Sequence, residues 1–157
     1  MPAILFVCTA NICRSPMASA IFKEMLRENQ APQAWQVESA GTWALDGQSP
    51  ADGSQTVMIE RGLDISDHRS KSVSGELLQS FDLILTMEWG HKEALRTEFP
   101  EIASRIHLLS EMVNQTGNVD DPYGGPISGY EETASEIEEL LEAGYEKILQ
   151  LVGAESE

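Results

Sequence analysis

Residues 3 to 16 read Ala3-Ile4-Leu5-Phe6-Val7-Cys8-Thr9-Ala10-Asn11-Ile12-Cys13-Arg14-Ser15-Pro16. The stretch from Ala3 to Cys8 is a short, uninterrupted apolar run with the length and β-branching of a strand buried on both faces. Thr9 to Arg14 is polar and irregular. Ser15-Pro16 then reads as a helix start, with serine as N-cap and proline at the first helical position. Ala18, Ile21, Phe22, Met25 and Leu26 follow at helical spacing and define one apolar face. The opening unit is therefore strand, short loop, helix.

The remainder repeats this alternation. Trp35-Gln36-Val37-Glu38-Ser39-Ala40 predicts a second strand closed by Gly41, and Pro50 to Glu60 a helix that stops at Gly62. An amphipathic segment from Ser74 to Phe81 leads into Asp82-Leu83-Ile84-Leu85-Thr86-Met87, a further buried strand. Glu88 to Glu98 predicts a helix ended by Pro100, and Arg105-Ile106-His107-Leu108-Leu109 a short last strand. A loop rich in proline and glycine, Asp120 to Gly129, precedes the final helix. Ser128 and Glu131 predict a capping box there, and Ile137, Leu140, Leu141, Tyr145, Ile148, Leu149 and Val152 recur at three- and four-residue steps. Strands alternating with helices imply an α/β fold, a three-layer sandwich with a four-stranded parallel sheet flanked by helices. With no repeat, linker or low-complexity tract, residues 1–157 read as a single domain. Met87, Trp89 and the aliphatic stripe of the last helix are expected in the core.

Composition narrows the function. The 157 residues carry 10 Lys plus Arg against 26 Asp plus Glu, a net charge of −16. Nucleic-acid binding relies on clustered cations that displace counterions, so no nucleic-acid partner is expected. No apolar run approaches the ~18–20 residues that cross a bilayer, and the opening run lacks the length and basic lead-in of a signal peptide. A cytoplasmic protein without a membrane partner is expected. Cys8 and Cys13 are the only two cysteines, and the three histidines, His68, His91 and His107, lie far from them in sequence. That arrangement argues against a structural zinc site and for a chemical use of the thiols.

In a parallel sheet, ligands bind at the carboxyl ends of strands, where helix N-termini point. The loop between Cys8 and Ser15 occupies that place. Its backbone N–H groups and the helix dipole behind them suit a tetrahedral dianion, and the same field favours a reactive thiolate. Arg14 adds a planar fork suited to two phosphate oxygens. The first 30 residues carry a net charge of +1 and the remaining 127 a net charge of −17, so the anion site has to be made locally. A thiolate that attacks phosphorus also leaves an oxyanion in need of a proton. Val119-Asp120-Asp121-Pro122-Tyr123-Gly124-Gly125-Pro126 offers Asp121 as the acid, with Pro122 stiffening the backbone and Tyr123 as an aromatic wall.

Together these residues resemble the low-molecular-weight protein tyrosine phosphatases. That family carries Cys-x-x-Asn-x-Cys-Arg-Ser-Pro near its amino end, here Cys8 to Pro16, and Asp-Pro-Tyr or Asp-Pro-Phe near its carboxyl end, here Asp121-Pro122-Tyr123. Ser39-Ala40-Gly41-Thr42 and the strand from Asp82 to Met87 also resemble family segments, so the likeness spans nearly the whole chain. It implies a cysteine-dependent phosphatase that hydrolyses phosphotyrosine in a protein or a small aryl phosphate and releases inorganic phosphate. Cys8 would be the nucleophile that becomes phosphocysteine, Arg14 the binder of the phosphoryl oxygens, and Asp121 the general acid and then base. Asn11 would hold the loop and Ser15 would donate to the Cys8 thiolate, while Thr9, Ala10, Ile12 and Cys13 complete the phosphate-binding loop. Trp43 would line the pocket mouth opposite Tyr123, or pack as a hydrophobic cap. His68 falls where family members often place a histidine that braces the loop asparagine, with a plain surface histidine as the alternative. Cys13 would form a reversible disulfide with the nucleophile. The family's chemistry uses no metal and no cofactor.

Two residues depart from the family pattern. Ala10 replaces the usual glycine, which costs on the order of 1 kcal/mol if the position needs a left-handed backbone. Ser19 replaces the usual glutamate. One branch of the family hydrolyses phosphoarginine and shares the Asp-Pro-aromatic-Gly-Gly run and the acidic last helix. It typically carries threonine at the position of Ile12, and the apolar Ile12 suits an aryl ring better than a guanidinium. Arsenate reductases share this fold and loop, and the thioredoxin-coupled kind needs further cysteines downstream to relay the disulfide; none follows Cys13. From a different class, a redox sensor has no use for Arg14 or Asp121, and a phosphate-binding module has no use for the thiol or the acid.

Overall fold

In the computed structural model, which describes residues 1–154, Ala3–Cys8 forms the strand β1, with every residue buried. Ile4, Phe6 and Cys8 face one apolar cluster, while Ala3, Leu5 and Val7 face another. This is the period-two alternation of a strand covered on both sides. The remaining strands are β2 (Gln36–Gly41), β3 (Leu83–Thr86) and β4 (Ile106–Leu108). The helices are α1 (Arg14–Glu28), α2 (Asp52–Glu60), α3 (Gly75–Gln79), α4 (Trp89–Glu98) and α5 (Ile127–Val152). Short 3₁₀ segments at Pro100–Arg105 and Leu109–Val113 flank β4.

The sheet has four strands in the order β2-β1-β3-β4, and every pair is parallel. Residues of α1, α2 and α5 build one layer around Phe22, Met58 and Ile137, and Leu78, Phe81, Leu95 and Ile102 cover the other face. The expected three-layer α/β sandwich is thus present. The chain leaves β1 toward β2 on one side and returns to β3 on the other, so the end of β1 at Cys8 is a topological switch point, where a crevice opens. Among the described residues no helix is long and apolar enough to cross a membrane. Residues 155–157, the end of the expected domain, lie outside the described residues.

Local expectations fail at three places. α1 begins at Arg14 with Cys13 at its N-cap position and no side-chain cap. Ser15 therefore lies inside the first turn, its hydroxyl turned to the loop, and Pro16 falls where a missing N–H leaves no helical bond unmade. α5 starts at Ile127 after Pro126, again with no side-chain cap. The predicted capping box is absent because both Glu131 carboxylate oxygens take bonds from Arg61, at 2.9 and 2.8 Å. A charged, two-pronged partner outcompetes a neutral backbone N–H. Trp89 is 57% exposed rather than core. It opens α4, its N–H bonded to Asn118 Oδ1 at 2.7 Å, and the buried side of that helix is carried by His91 and Leu95. Met87 is buried as expected, as are Ile137, Leu141 and Ile148 of α5.

Candidate active site

Past Cys8 the chain has to turn back under the sheet within a few residues, and Asn11 makes that turn with φ of 60°. Asparagine tolerates the left-handed region better than other side chains, because its short polar group bonds locally. Ala10 is free of positive φ. The strain expected from an alanine in place of glycine does not arise.

Asn11 is fully buried, and both groups of its side-chain amide and its carbonyl are bonded. Its Nδ2 donates to Ser15 Oγ at 2.8 Å and to Ser39 Oγ at 2.9 Å, and its Oδ1 accepts from the Lys71 N–H at 3.0 Å. Its carbonyl lies 2.7 Å from His68 Nε2. A carbonyl can only accept, so Nε2 donates, and burial pushes the His68 pKa down. The histidine thus braces the asparagine through its backbone. Cys8 Sγ lies 3.0 Å from Ser15 Oγ, a group positioned to donate to a thiolate. Gly41, opposite Cys8 in the β1–β2 ladder, completes the cradle, since a methyl group there would overlap the Thr9 carbonyl oxygen.

Arg14 is only 1% exposed. Its Nη1 donates to Glu88 Oε2 at 2.5 Å and to the Val119 carbonyl at 2.8 Å, and its Nη2 lies 3.7 Å from Asp121 Oδ2. Its Nε is buried with no partner, and no other side-chain nitrogen or oxygen among the described residues shares that state. A buried donor without an acceptor is costly and marks a place for a ligand.

Cys8, Thr9, Ala10, Ile12, Cys13, Arg14, Asp121 and Tyr123 line one cavity of about 300 Å³. Asp121 Oδ1 accepts the Tyr123 N–H at 3.1 Å, a local turn that sets the carboxylate at the mouth. Cys13 lies 3.9 Å from the Tyr130 hydroxyl, and burial drives its pKa to about 11. Burial and the adjoining Cys13 raise Tyr130 to about 12. Both cysteines are free thiols. The structure brings together every predicted residue except Trp43, which is 83% exposed and outside the lining, neither wall nor packed cap. Its N–H nevertheless bonds the Thr9 carbonyl. Nothing in the structure assigns Ser19 a role in this site. Among the described residues no cluster of side chains suits a metal ion.

The family description "low molecular weight phosphotyrosine protein phosphatase" matches residues 3–152. The chain belongs to this family. Two curated relatives are similar over most of the chain. A protein-arginine-phosphatase of Geobacillus stearothermophilus is 36% identical over 92% of this chain and 95% of its own. A low molecular weight protein-tyrosine-phosphatase, PtpB of Staphylococcus haemolyticus, is 38% identical over 96% and 94%. Among solved structures, the low molecular weight protein tyrosine phosphatase from T. tengcongensis superposes with a TM-score of 0.87 at 40% identity, covering 94% of this chain and 99% of its own.

Several residues of this low-molecular-weight phosphatase site escape a reading of the sequence. Glu88 anchors Arg14 across 74 residues of chain, Val119 does so across 105, and His91 meets Thr9 across 82. Their one local signal is position. Glu88 follows the carboxyl end of β3 and Gly41 ends β2, the same end of the sheet at which β1 delivers Cys8.

Proposed function

We propose that this chain is a protein tyrosine phosphatase, one domain over residues 1–157 working in the cytoplasm. It hydrolyses phosphotyrosine in phosphoproteins, or small aryl phosphates, through a phosphocysteine on Cys8. One observation carries the chemistry: a buried guanidinium, pinned at Nη1 by Glu88 and Val119, keeps an unpaired Nε beside a cavity that also holds Cys8. A phosphoryl oxygen supplies the missing acceptor.

In the first step the Cys8 thiolate attacks phosphorus, an S–P bond forms and the bond to the phenol oxygen breaks. Asp121 in its acid form protonates that oxygen. In the second step the Asp121 carboxylate takes a proton from water, the water oxygen attacks phosphorus, and the S–P bond breaks. Inorganic phosphate leaves and Cys8 returns as thiolate, steadied by the Ser15 hydroxyl. Arg14 and the loop N–H groups hold the phosphoryl oxygens throughout, where charge develops. Cys13 shares the cavity and suits the capture of an oxidised Cys8, a sulfenic acid condensing with the thiol to a disulfide and water.

Ile12 and Tyr123 support an aryl leaving group, because both line the cavity and offer it apolar walls. A second reading, phosphoarginine, draws on the relative from Geobacillus stearothermophilus and on the Asp121-Pro122-Tyr123-Gly124-Gly125 run. Phosphate release from a phosphotyrosine peptide and a phosphoarginine peptide, side by side with Cys8→Ser as blank, decides between them. Faster release from phosphotyrosine, lost in the variant, is the expected result. Preference for phosphoarginine keeps the mechanism and overturns the substrate. Unchanged turnover of an aryl phosphate with a poor leaving group by Asp121→Ala overturns the acid assignment.

A further inference from the structure

The two steps above leave Thr9 Oγ1 and His91 unused, although they lie 2.8 Å apart. Thr9 opens the loop after β1, and His91 lies in the first turn of α4. His91 Nδ1 is 3.1 Å from the backbone N–H of Glu88. That N–H can only donate, so Nδ1 carries a lone pair and the neutral ring holds its proton on Nε2. The Nε2–H therefore donates to Thr9 Oγ1, and the Thr9 hydroxyl proton is turned away from His91. Among the described residues Thr9 Oγ1 has no second side-chain partner, and Thr9 lines the cavity beside Cys8 and Arg14. Burial first, then the Arg14 charge, keeps the ring in its neutral form, against the opposing carboxylates of Glu88 and Asp121.

We propose that His91 is a positioning residue that makes the Thr9 hydroxyl a hydrogen-bond donor to a bound phosphoryl oxygen, a second side-chain donor beside Arg14. The inference rests on the reading of this cavity as the phosphoryl site. A role for His91 confined to capping α4 predicts lost stability without lost anion affinity. Protonation at Nδ1 sets a hydrogen against the Glu88 N–H and displaces the ring from Thr9.

The test compares Thr9→Val, Thr9→Ser, His91→Ala and the double variant Thr9→Val/His91→Ala, using affinity for inorganic phosphate and kcat/KM on phosphotyrosine. A hydrogen bond to a charged group predicts a loss of ~10-fold in both quantities for Thr9→Val. Thr9→Ser, which keeps the hydroxyl, stays within about 3-fold of wild type, inside the usual scatter of such energies. His91→Ala matches Thr9→Val, and the double variant falls no further than either, because one residue acts through the other. The advantage of wild type over Thr9→Val persists through the ordinary histidine value of about 6.5 and shrinks only at lower pH, because burial and Arg14 hold the His91 ring below that value. Wild-type phosphate affinity in Thr9→Val overturns the inference, as do equal losses in Thr9→Val and Thr9→Ser or losses that multiply in the double variant. A wild type that binds phosphate but turns over no phosphotyrosine sinks the proposed function alone, and the affinities still decide the role of Thr9. A wild type that binds no phosphate overturns both.

Discussion

Glu88→Ala removes the carboxylate that holds Arg14, and its cost can be worked from the site. The guanidinium is 1% exposed and would keep the Val119 carbonyl at 2.8 Å and the Asp121 carboxylate at 3.7 Å. Breaking a buried ion pair from one side costs ~3–5 kcal/mol, because an uncompensated charge stays behind. Here the Glu88 side chain is 36% exposed, so solvent already screens part of the pair and ~2 kcal/mol is the expected loss. At about 2–4 °C per kcal/mol for a chain of this size, the thermal midpoint should fall by about 4–8 °C. Glu88→Gln keeps an acceptor for Nη1 without the charge and should fall about half as far. Saturating inorganic phosphate should narrow the gap between variant and wild type, since the dianion replaces the lost counter-charge. Differential scanning calorimetry with and without phosphate reads both effects. A Glu88→Ala midpoint equal to wild type in phosphate-free buffer would refute the reasoning, and so would a gap that phosphate widens.

Three further outcomes are expected. Gly41→Ala should fold but lose at least ~10-fold in kcat/KM, because the added methyl pushes the Thr9 carbonyl and with it the loop, and misplacement of that size is costly in a preorganised site; unchanged kinetics would show that the loop tolerates the shift. With its pKa at about 11, Cys13 is a neutral thiol at neutral pH. Mass spectrometry after iodoacetamide at pH 7 should therefore find Cys13 unmodified until the pH approaches that value, and equal labelling of both thiols at pH 7 would contradict this. His68, His91 and His107 are all held below the ordinary value of 6.5, first by burial. The unfolded chain therefore takes up protons before the folded one as pH drops through 6.5, and stability present above that value is lost below it. The urea midpoint should be lower at pH 5.5 than at pH 7.5, and an equal or higher one would show these histidines exposed.

Much of the architecture was legible because its signals are local. β1, β3 and β4 announce themselves as short apolar runs, and the stripe on α5 fixes its buried face through spacing along one helix. The boundaries that went astray did so where a distant partner intervened. Ser15 looks like an N-cap in isolation, yet its hydroxyl serves Cys8 and Asn11. Glu131 looks like half of a capping box, yet Arg61 claims it. Trp89 looks like core by composition, but a residue at the first position of α4 follows the geometry of the sheet end rather than its own hydropathy.

The sequence by itself determined the alternation of strands and helices and the place of the loop from Cys8 to Arg14 at the end of the first strand. It also put a cysteine, an arginine and a distant aspartate in one chemical proposal, because side-chain chemistry is a property of the residue alone. Only the tertiary structure decided what orients those groups. Glu88 under Arg14, His91 on Thr9, His68 on the Asn11 carbonyl and the bare backbone of Gly41 beside Thr9 each join segments far apart in the chain. Hydrogen bonds and steric contacts act over a few ångströms in space and leave no periodicity in sequence, so these partners appear only when the sheet brings the carboxyl ends of β1, β2 and β3 to one edge.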